Sequence, residues 1–206
     1  MARDFTKKTY RKKNRIPKSV ILIVAEGRNV TETQYFKQFN NKNNPYIIKP
    51  VKPGSKTDAE GLWERAKLFW NEEGLSKDNG DRAFVVLDLD CDSKKLELVK
   101  RLHGKDNIEF IVSNPCFEVW FLLHFKYTTH CFKNDKEVIQ ELRKHIPKYE
   151  KTMDVNEFLK DKADLAAWNV ERLRNHYDKL DMECPSVDTN PMTDVPVIME
   201  VLKNEH

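Results

Sequence analysis

The sequence predicts an α/β fold, in which a parallel four-stranded sheet is flanked by helices and is followed by a mainly helical C-terminal part. Four short apolar runs, rich in Val, Ile and Phe, alternate with segments of roughly 10 to 15 residues whose apolar positions recur at helical spacing. From Lys126 onward the strand patterns stop. We therefore divide the chain into a basic flexible arm (1–19), an α/β core (20–126) and a helical C-terminal subdomain (127–206).

The elements of the core follow one another in order along the sequence. The helix after the first strand is expected to begin at Thr31, which forms a capping-box pattern with Gln34. Thr57 and Glu60 form the same pattern before the second helix, and Ser93 can cap the third. The four strands are expected at residues 20–27, at 46–51, in the run that starts at residue 83, and at 108–112.

Positive charge is concentrated in the arm. Residues 1–19 hold eight basic residues and one acid, whereas the rest of the chain holds 28 basic and 32 acidic residues, so the net charge of +3 arises from the arm. Such arms commonly bind nucleic acid, although a solubilising tail is the alternative. The arm residues expected to contact nucleic acid are Lys7, Lys8, Arg11, Lys12, Lys13 and Arg15.

Three acids follow the third strand at alternate positions, namely Asp88, Asp90 and Asp92 in AFVVLDLDCD. Strand alternation would place Asp88 and Asp90 on one face, where two carboxylates repel each other unless a cation lies between them. Open α/β sheets bind ligands outside the carboxyl ends of their strands, and Mg²⁺ prefers carboxylate oxygens. We therefore expect a metal site here. The alternative is a polar loop in which Asp92 or Ser93 caps the next helix.

A fourth acid, Glu26, ends the first strand, VILIVAEG. Parallel strands joined by right-handed crossovers end on the same edge of a sheet, so Glu26 and Asp88 should meet although they lie more than 60 residues apart. Glu26 could serve as a general base or as a metal ligand. Glu32 falls in the first turn of the next helix, where it either joins the site or only complements the helix dipole.

The stretch SNPCFEVWFLLHF, residues 113–125, is expected to begin a helix at the same edge of the sheet. Asn114 would be the N-cap and Pro115 the first helical residue. Glu118 then lies among aromatic residues, where an acid is costly unless it is paired or bound to a metal. Glu118 is therefore a further candidate for the site.

The C-terminal part reads as a series of helices with a lysine-rich face that includes Lys148 and Lys151. This face is either solvated or in contact with nucleic acid. Tyr149 and Trp168 are expected to be exposed, as part of a surface that docks a protein partner.

Several classes of protein are disfavoured by the sequence. No apolar run approaches the ~18 residues of a membrane span, and no apolar segment of a signal peptide follows the basic start, so we expect a cytoplasmic protein. The four cysteines are widely spaced and form no Cys-x-x-Cys pair, which favours reduced thiols over disulfides or a zinc site. Neither a Walker loop nor a Gly-x-Gly-x-x-Gly pattern is present.

Four stretches, in this order, resemble the RloB-like family: ILIVAEGRNVTETQYFKQF, FVVLDLDCD, SNPCFEVWFLLHF and NPMTDV. The resemblance covers nearly the whole chain outside the arm and implies a Toprim-like fold. It implies catalytic roles for Glu26, Asp88 and Asp90, with Mg²⁺ or Mn²⁺ as cofactor. It further implies cleavage of RNA, with tRNA as one candidate, or of DNA. The implied setting is an anti-phage defence system, which often includes an ABC-type ATPase partner.

The expected metal-binding set comprises Glu26, Asp88, Asp90, Asp92 and Glu118, of which the resemblance implies Glu26, Asp88 and Asp90 and supports Glu118. The family's Asn-Pro-Cys-Phe-Glu stands here as residues 114–118, and Asn114 is assigned to nucleic-acid contact. One departure is Asp92, since a Glu near that position is more usual in the family. A homodimer is a further expectation.

Two other functions stay open. A phosphohydrolase of the haloacid-dehalogenase type would use Asp88 as nucleophile and Asp90 as acid, but Cys91 stands where such sites have Thr or Val. The second alternative is a non-catalytic subunit with a decayed site that binds nucleic acid or regulates an ATPase.

Overall fold

A computed structural model of the chain describes residues 18–26, 30–52 and 54–204. Within these residues five strands form one sheet in the order β2-β1-β3-β4-β5. The first four strands pair in parallel, as predicted, and the short β5 pairs antiparallel with β4. The strands are β1 (Ser19–Ala25), β2 (Tyr46–Val51), β3 (Arg82–Asp88), β4 (Ile108–Asn114) and β5 (Met192–Thr193).

Helices cover both faces of the sheet. Helices α2 and α3 contact each other, whereas α1 meets α4 through Tyr35, whose ring lies edge-on to Phe117 and Trp120. Right-handed crossovers place these two groups on opposite faces. The helices are α1 (Val30–Lys37), α2 (Ala59–Glu72), α3 (Ser93–Leu102), α4 (Glu118–Leu123), α5 (Asp135–Leu142), α6 (Asn156–Leu159), α7 (Ala163–Asp178) and α8 (Val195–Asn204).

The first two helix starts differ from the predicted ones. Thr31 lies inside α1, where its hydroxyl donates a hydrogen bond to the carbonyl of Lys151 instead of capping the helix. Asp58, rather than Thr57, caps α2 by accepting a hydrogen bond from the backbone N–H of Gly61 at 2.8 Å. Thr57 and Asp58 both have short polar side chains, so the sequence pattern could not choose between these neighbours.

Asn114 ends β4 and does not begin a helix. Its side chain is fully buried. The amide oxygen accepts from the backbone N–H of Cys91 at 3.1 Å, and the amide nitrogen donates to the carbonyls of Val187 and Thr189, both at 3.1 Å. The predicted N-cap role is therefore wrong, and so is the predicted contact with nucleic acid, because the amide is buried and already bonded inside the protein.

The helical C-terminal part returns to the sheet. Strand β5 pairs with β4, and α8 packs against β4. One hydrophobic core runs from Ile21 in β1 to Leu202 in α8. The division into a core and a C-terminal subdomain at residue 126 stays a prediction. In the part of the chain that the structure describes, no helix has both the length and the apolar character needed to cross a membrane.

The Asn114 network predicts a large effect on stability. Asn114→Ala leaves one buried and several partly buried backbone groups unpaired, so the free energy of unfolding should fall by on the order of 2 to 4 kcal/mol. Urea unfolding measures this, and Asn175→Ala, at an exposed position of α7, should change little. If Asn114→Ala left stability unchanged and weakened nucleic-acid binding, Asn114 would be a nucleic-acid contact and not a structural residue.

Candidate functional site

The sheet has a switch point between β1 and β3, because the chain leaves β1 toward β2 on one side and later enters β3 on the other. Open α/β sheets bind ligands in the crevice at such a point. Glu26 follows β1 directly, and its backbone N–H extends the pairing by donating to Val86 at 3.1 Å. Its carboxylate accepts from the backbone N–H of Asp88, at the end of β3, at 3.3 Å. Glu26 and Asp88 thus meet at this edge, as predicted.

A lysine from the first turn of α3 lies at the centre of this edge. The ammonium of Lys95 is 2.9 and 3.0 Å from the two carboxylate oxygens of Glu26, 2.9 Å from Asp90 and 2.5 Å from the carbonyl oxygen of Asp88. Burial opposes its charge, but the hydrogen bonds to Asp90 and Glu26 raise the pKa of Lys95 above its ordinary value. Lys95 was not identified from the sequence, although its place one turn into the helix after the acids was visible.

Asp88 and Asp90 do not share a face by strand alternation, so that expectation is wrong. The chain leaves the extended conformation after Asp88, and Asp90 and Cys91 adopt positive φ of 54° and 56°. Aspartate is among the residues that tolerate this left-handed region best. The turn is fastened by hydrogen bonds from Leu89 and Asp90 to the carbonyls of Ser113 and Pro115. As a result the carboxylate of Asp90 faces Lys95.

Asp92 begins α3. Its exposed carboxylate accepts hydrogen bonds from the backbone N–H groups of Lys94 at 2.8 Å and Lys95 at 3.3 Å. Asp92 therefore caps α3, which was the alternative to a metal-binding role for this residue. The expectation that it is a metal ligand is not supported, because its carboxylate is bonded at the helix start.

A second group of acids lies deeper, on the α1 and α4 side. Glu32 and Glu118 are only 3% and 2% exposed, and Asp88 is half-buried. Asp88 accepts from the backbone N–H of Phe117 at 2.8 Å, and Glu118 accepts from the hydroxyl of Tyr149 at 3.1 Å. One buried carboxylate oxygen of Glu32 has no hydrogen-bond partner. Such an oxygen is unfavourable unless a proton or a cation meets it.

Burial and repulsion from neighbouring acids raise the pKa values of two of these acids, Asp88 and Glu32. Burial, followed by the charge of Glu118, raises the pKa of Asp88 to about 8. Burial, followed by the charge of Asp88, raises the pKa of Glu32 to about 8 as well. Glu32 therefore belongs to the same electrostatic cluster as Asp88 and Glu118, a role that the sequence left open beside the helix-dipole role.

The segment between α5 and α6 adds a second cation. Lys151 pairs with Asp135 at 3.2 Å, and although burial opposes its charge, Glu118 and Asp88 hold its pKa above the ordinary value. Lys151 therefore balances the acid cluster as well as contributing to the lysine-rich face. Tyr149 is fully buried, so its predicted exposure is wrong, whereas Trp168 is 54% exposed, as predicted.

The donors at this edge fit a hard divalent cation. Carboxylate and carbonyl oxygens suit Mg²⁺ and Mn²⁺, and both the unpartnered oxygen of Glu32 and the cation held by Glu26 and Asp90 indicate demand for positive charge. Among the described residues, no three His, Cys, Asp or Glu side chains already stand in a metal-binding arrangement. The ammonium of Lys95 lies between Glu26 and Asp90. The basic positions predicted for residues 7–15 of the arm lie outside the described residues.

The fold and this edge define a Toprim-like α/β protein with acids gathered at the switch point of its sheet. The chain matches the RloB-like protein family over residues 21–202. It therefore belongs to the RloB-like family. No curated protein and no solved structure matches the chain.

The raised pKa values predict an unusual dependence of stability on pH. The folded state holds its protons up to about pH 8, whereas unfolded Asp and Glu release theirs near pH 4, so these groups make the metal-free protein less stable as pH rises from about 4 to about 8. Above about pH 8 no further loss is expected from them. Glu32→Gln should remove part of this loss and raise the free energy of unfolding at pH 8 by on the order of 1 to 3 kcal/mol.

Urea unfolding of the wild-type and Glu32→Gln proteins across this pH range gives the measurement, since their difference reports Glu32 together with its coupling to Asp88. Glu97→Gln, at an exposed position of α3, is the matched control and should leave the pH dependence unchanged. Parallel curves for the wild-type and Glu32→Gln proteins would show that Glu32 titrates normally.

Proposed function

We propose that this RloB-like protein is a divalent-metal-dependent nuclease that cuts RNA, with tRNA as one candidate, or DNA, as the effector of an anti-phage defence system. The observation that carries the proposal is the meeting of the carboxylates of Glu26 and Asp90 and the backbone carbonyl of Asp88 around one cation position at the switch point. Phosphodiester cleavage needs positive charge on the phosphate and an activated water, and a bound Mg²⁺ or Mn²⁺ supplies both.

The acids take different roles in this proposal. Glu26 and Asp90 hold the metal through their carboxylates and Asp88 lies beside it through its backbone carbonyl, while Glu118 and Glu32 add negative charge from the buried side. Glu26 is 27% exposed and so remains open to solvent, which suits a residue that accepts a proton from water as well as one that holds the metal. Asp92 is left out of the set because it caps α3.

Partners follow from charge and from exposed apolar side chains. The basic arm would bind the phosphates of the nucleic acid. Leu165, Trp168 and Leu180 are 40%, 54% and 54% exposed, which favours the helical C-terminal part as the docking surface for an ABC-type ATPase. The proposal places the protein in the cytoplasm, and self-association into a homodimer belongs to it as well.

Loss of one acid should abolish cleavage without unfolding the protein. Asp90→Asn should lower metal-dependent cleavage by at least about 100-fold, because a carboxylate ligand of a catalytic metal is worth several kcal/mol. The assay incubates the protein with tRNA, single-stranded RNA and duplex DNA in Mg²⁺ or Mn²⁺. Asp181→Asn is the control, since Asp181 is also exposed and also has φ of 54°.

The same assay separates the alternatives. Release of phosphate from a small ester, without cleavage of any nucleic acid, would assign the site to a phosphohydrolase. Binding of nucleic acid without turnover would assign the protein to the non-catalytic class. Full cleavage by both Asp90→Asn and Asp88→Asn would exclude these acids from the reaction.

Removing the arm should weaken nucleic-acid binding but not the fold. Deletion of residues 1–17 takes away seven of the basic residues. Each lost phosphate contact should reduce the slope of log affinity against log salt by roughly 0.7 to 0.9. Fluorescence anisotropy with labelled RNA and DNA at several salt concentrations checks this, and an unchanged slope would leave the arm with a solubilising role only.

A further inference from the structure

Lys95 makes the contacts that a metal ion would make in the proposed nuclease. Its ammonium meets oxygens from three places in the chain, namely the end of β1, the end of β3 and the following turn. The distances of 2.5 to 3.0 Å are those of charge-assisted hydrogen bonds, and the Lys95 side chain is only 15% exposed. A surface lysine that pairs loosely with one acid would not be held in this way.

We propose that Lys95 is the built-in counter-ion of this site and competes with the divalent cation for the oxygens of Glu26 and Asp90. Lys95 therefore sets the affinity of the protein for metal. This inference deepens the proposed function and rests on it, because it takes these oxygens to be metal ligands.

The competition follows from distance and charge. A carboxylate oxygen that binds Mg²⁺ at about 2.1 Å cannot keep an ammonium at hydrogen-bond distance on the same side, since the two cations would repel each other strongly at that separation. The flexible four-carbon stem of lysine allows its ammonium to leave, which a rigid guanidinium does less easily. In the metal-free protein the ammonium relieves repulsion among the acids; in the metal-loaded protein the metal takes over that role.

Two measurable effects of opposite sign result from removing the Lys95 charge. Lys95→Met keeps the length and the apolar stem of the side chain but removes its charge. The acids then lose their counter-ion, and the metal-free protein should melt at a lower temperature. The same variant should bind Mn²⁺ about tenfold more tightly or better, because no internal cation has to be displaced. Saturating Mn²⁺ should then raise the melting temperature more in Lys95→Met than in the wild-type protein.

Isothermal titration calorimetry with Mn²⁺ and thermal unfolding with and without Mn²⁺ provide both readouts without any cleavage assay. Lys94→Met is the matched control, because it makes the same change one residue away at an exposed position and should behave like the wild-type protein. Lys95→Arg keeps the charge and should not gain affinity. Should Lys95→Met fail to fold, Lys95→Gln gives the same comparison, since it is uncharged but still donates hydrogen bonds.

The outcomes separate this inference from the function on which it rests. Tighter Mn²⁺ binding by Lys95→Met, with wild-type affinity in Lys94→Met, supports the competition. Equal affinity in the wild-type, Lys95→Met and Lys94→Met proteins overturns the competition but leaves the metal site standing. Weaker binding by Lys95→Met also overturns it, because Lys95 would then position the ligands. No Mn²⁺ binding by any of these proteins overturns both the inference and the metal requirement of the proposed nuclease.

Discussion

Carboxylates that are withdrawn from water beside one another must be balanced by protons or by cations. The edge of the sheet where β1 and β3 end is built around this constraint. Lys95 balances the outer pair of acids, Glu26 and Asp90, while Lys151 and raised pKa values balance the inner group around Asp88. Neither arrangement balances all of the negative charge, since one buried carboxylate oxygen of Glu32 has no hydrogen-bond partner. A site with this remaining deficit of positive charge suits a divalent cation followed by an anionic substrate.

The same constraint explains why the C-terminal part is joined so closely to the sheet. Tyr149 and Lys151 come from the segment between α5 and α6, yet they supply the hydrogen bond and the positive charge that Glu118 requires. The hydroxyl of Thr31 in α1 fixes this segment through the carbonyl of Lys151. Asn114 joins the turn after β3 to the segment before β5. Loss of any of these connections would change the charge balance of the site as well as local packing.

The sequence predicted those site residues that depend only on strand direction. Glu26 and Asp88 end parallel strands, so their meeting follows from topology alone. The role of Lys151 beside the acid cluster could not be predicted, because it depends on how a loop of the C-terminal part folds back over α1 and α4. Lys95 was missed because strand alternation was carried past Asp88, whereas the backbone turns at Asp90 into the left-handed region.

Helix starts and exposure were predicted less well than strands, for a related physical reason. A buried Asn can serve the backbone of a turn as readily as it caps a helix, and Asn114 bonds the backbone of a turn. An aromatic residue in a charged segment is predicted to be exposed. Tyr149 is buried instead, because its hydroxyl has a buried hydrogen-bond partner in Glu118. Such pairings join residues far apart in the chain, and a single sequence does not reveal them.

The central claim is that one divalent cation position exists where Glu26, Asp88 and Asp90 meet and that Lys95 fills it in the metal-free protein. The most direct test is a pair of crystal structures, one of the metal-free protein and one soaked with Mn²⁺, with the metal located by its anomalous scattering. We expect an anomalous peak among these three acids and an ammonium of Lys95 that has moved away from Glu26. Lys95 still bound to Glu26 and Asp90 in the presence of saturating Mn²⁺, with no peak at this edge of the sheet, would contradict the account.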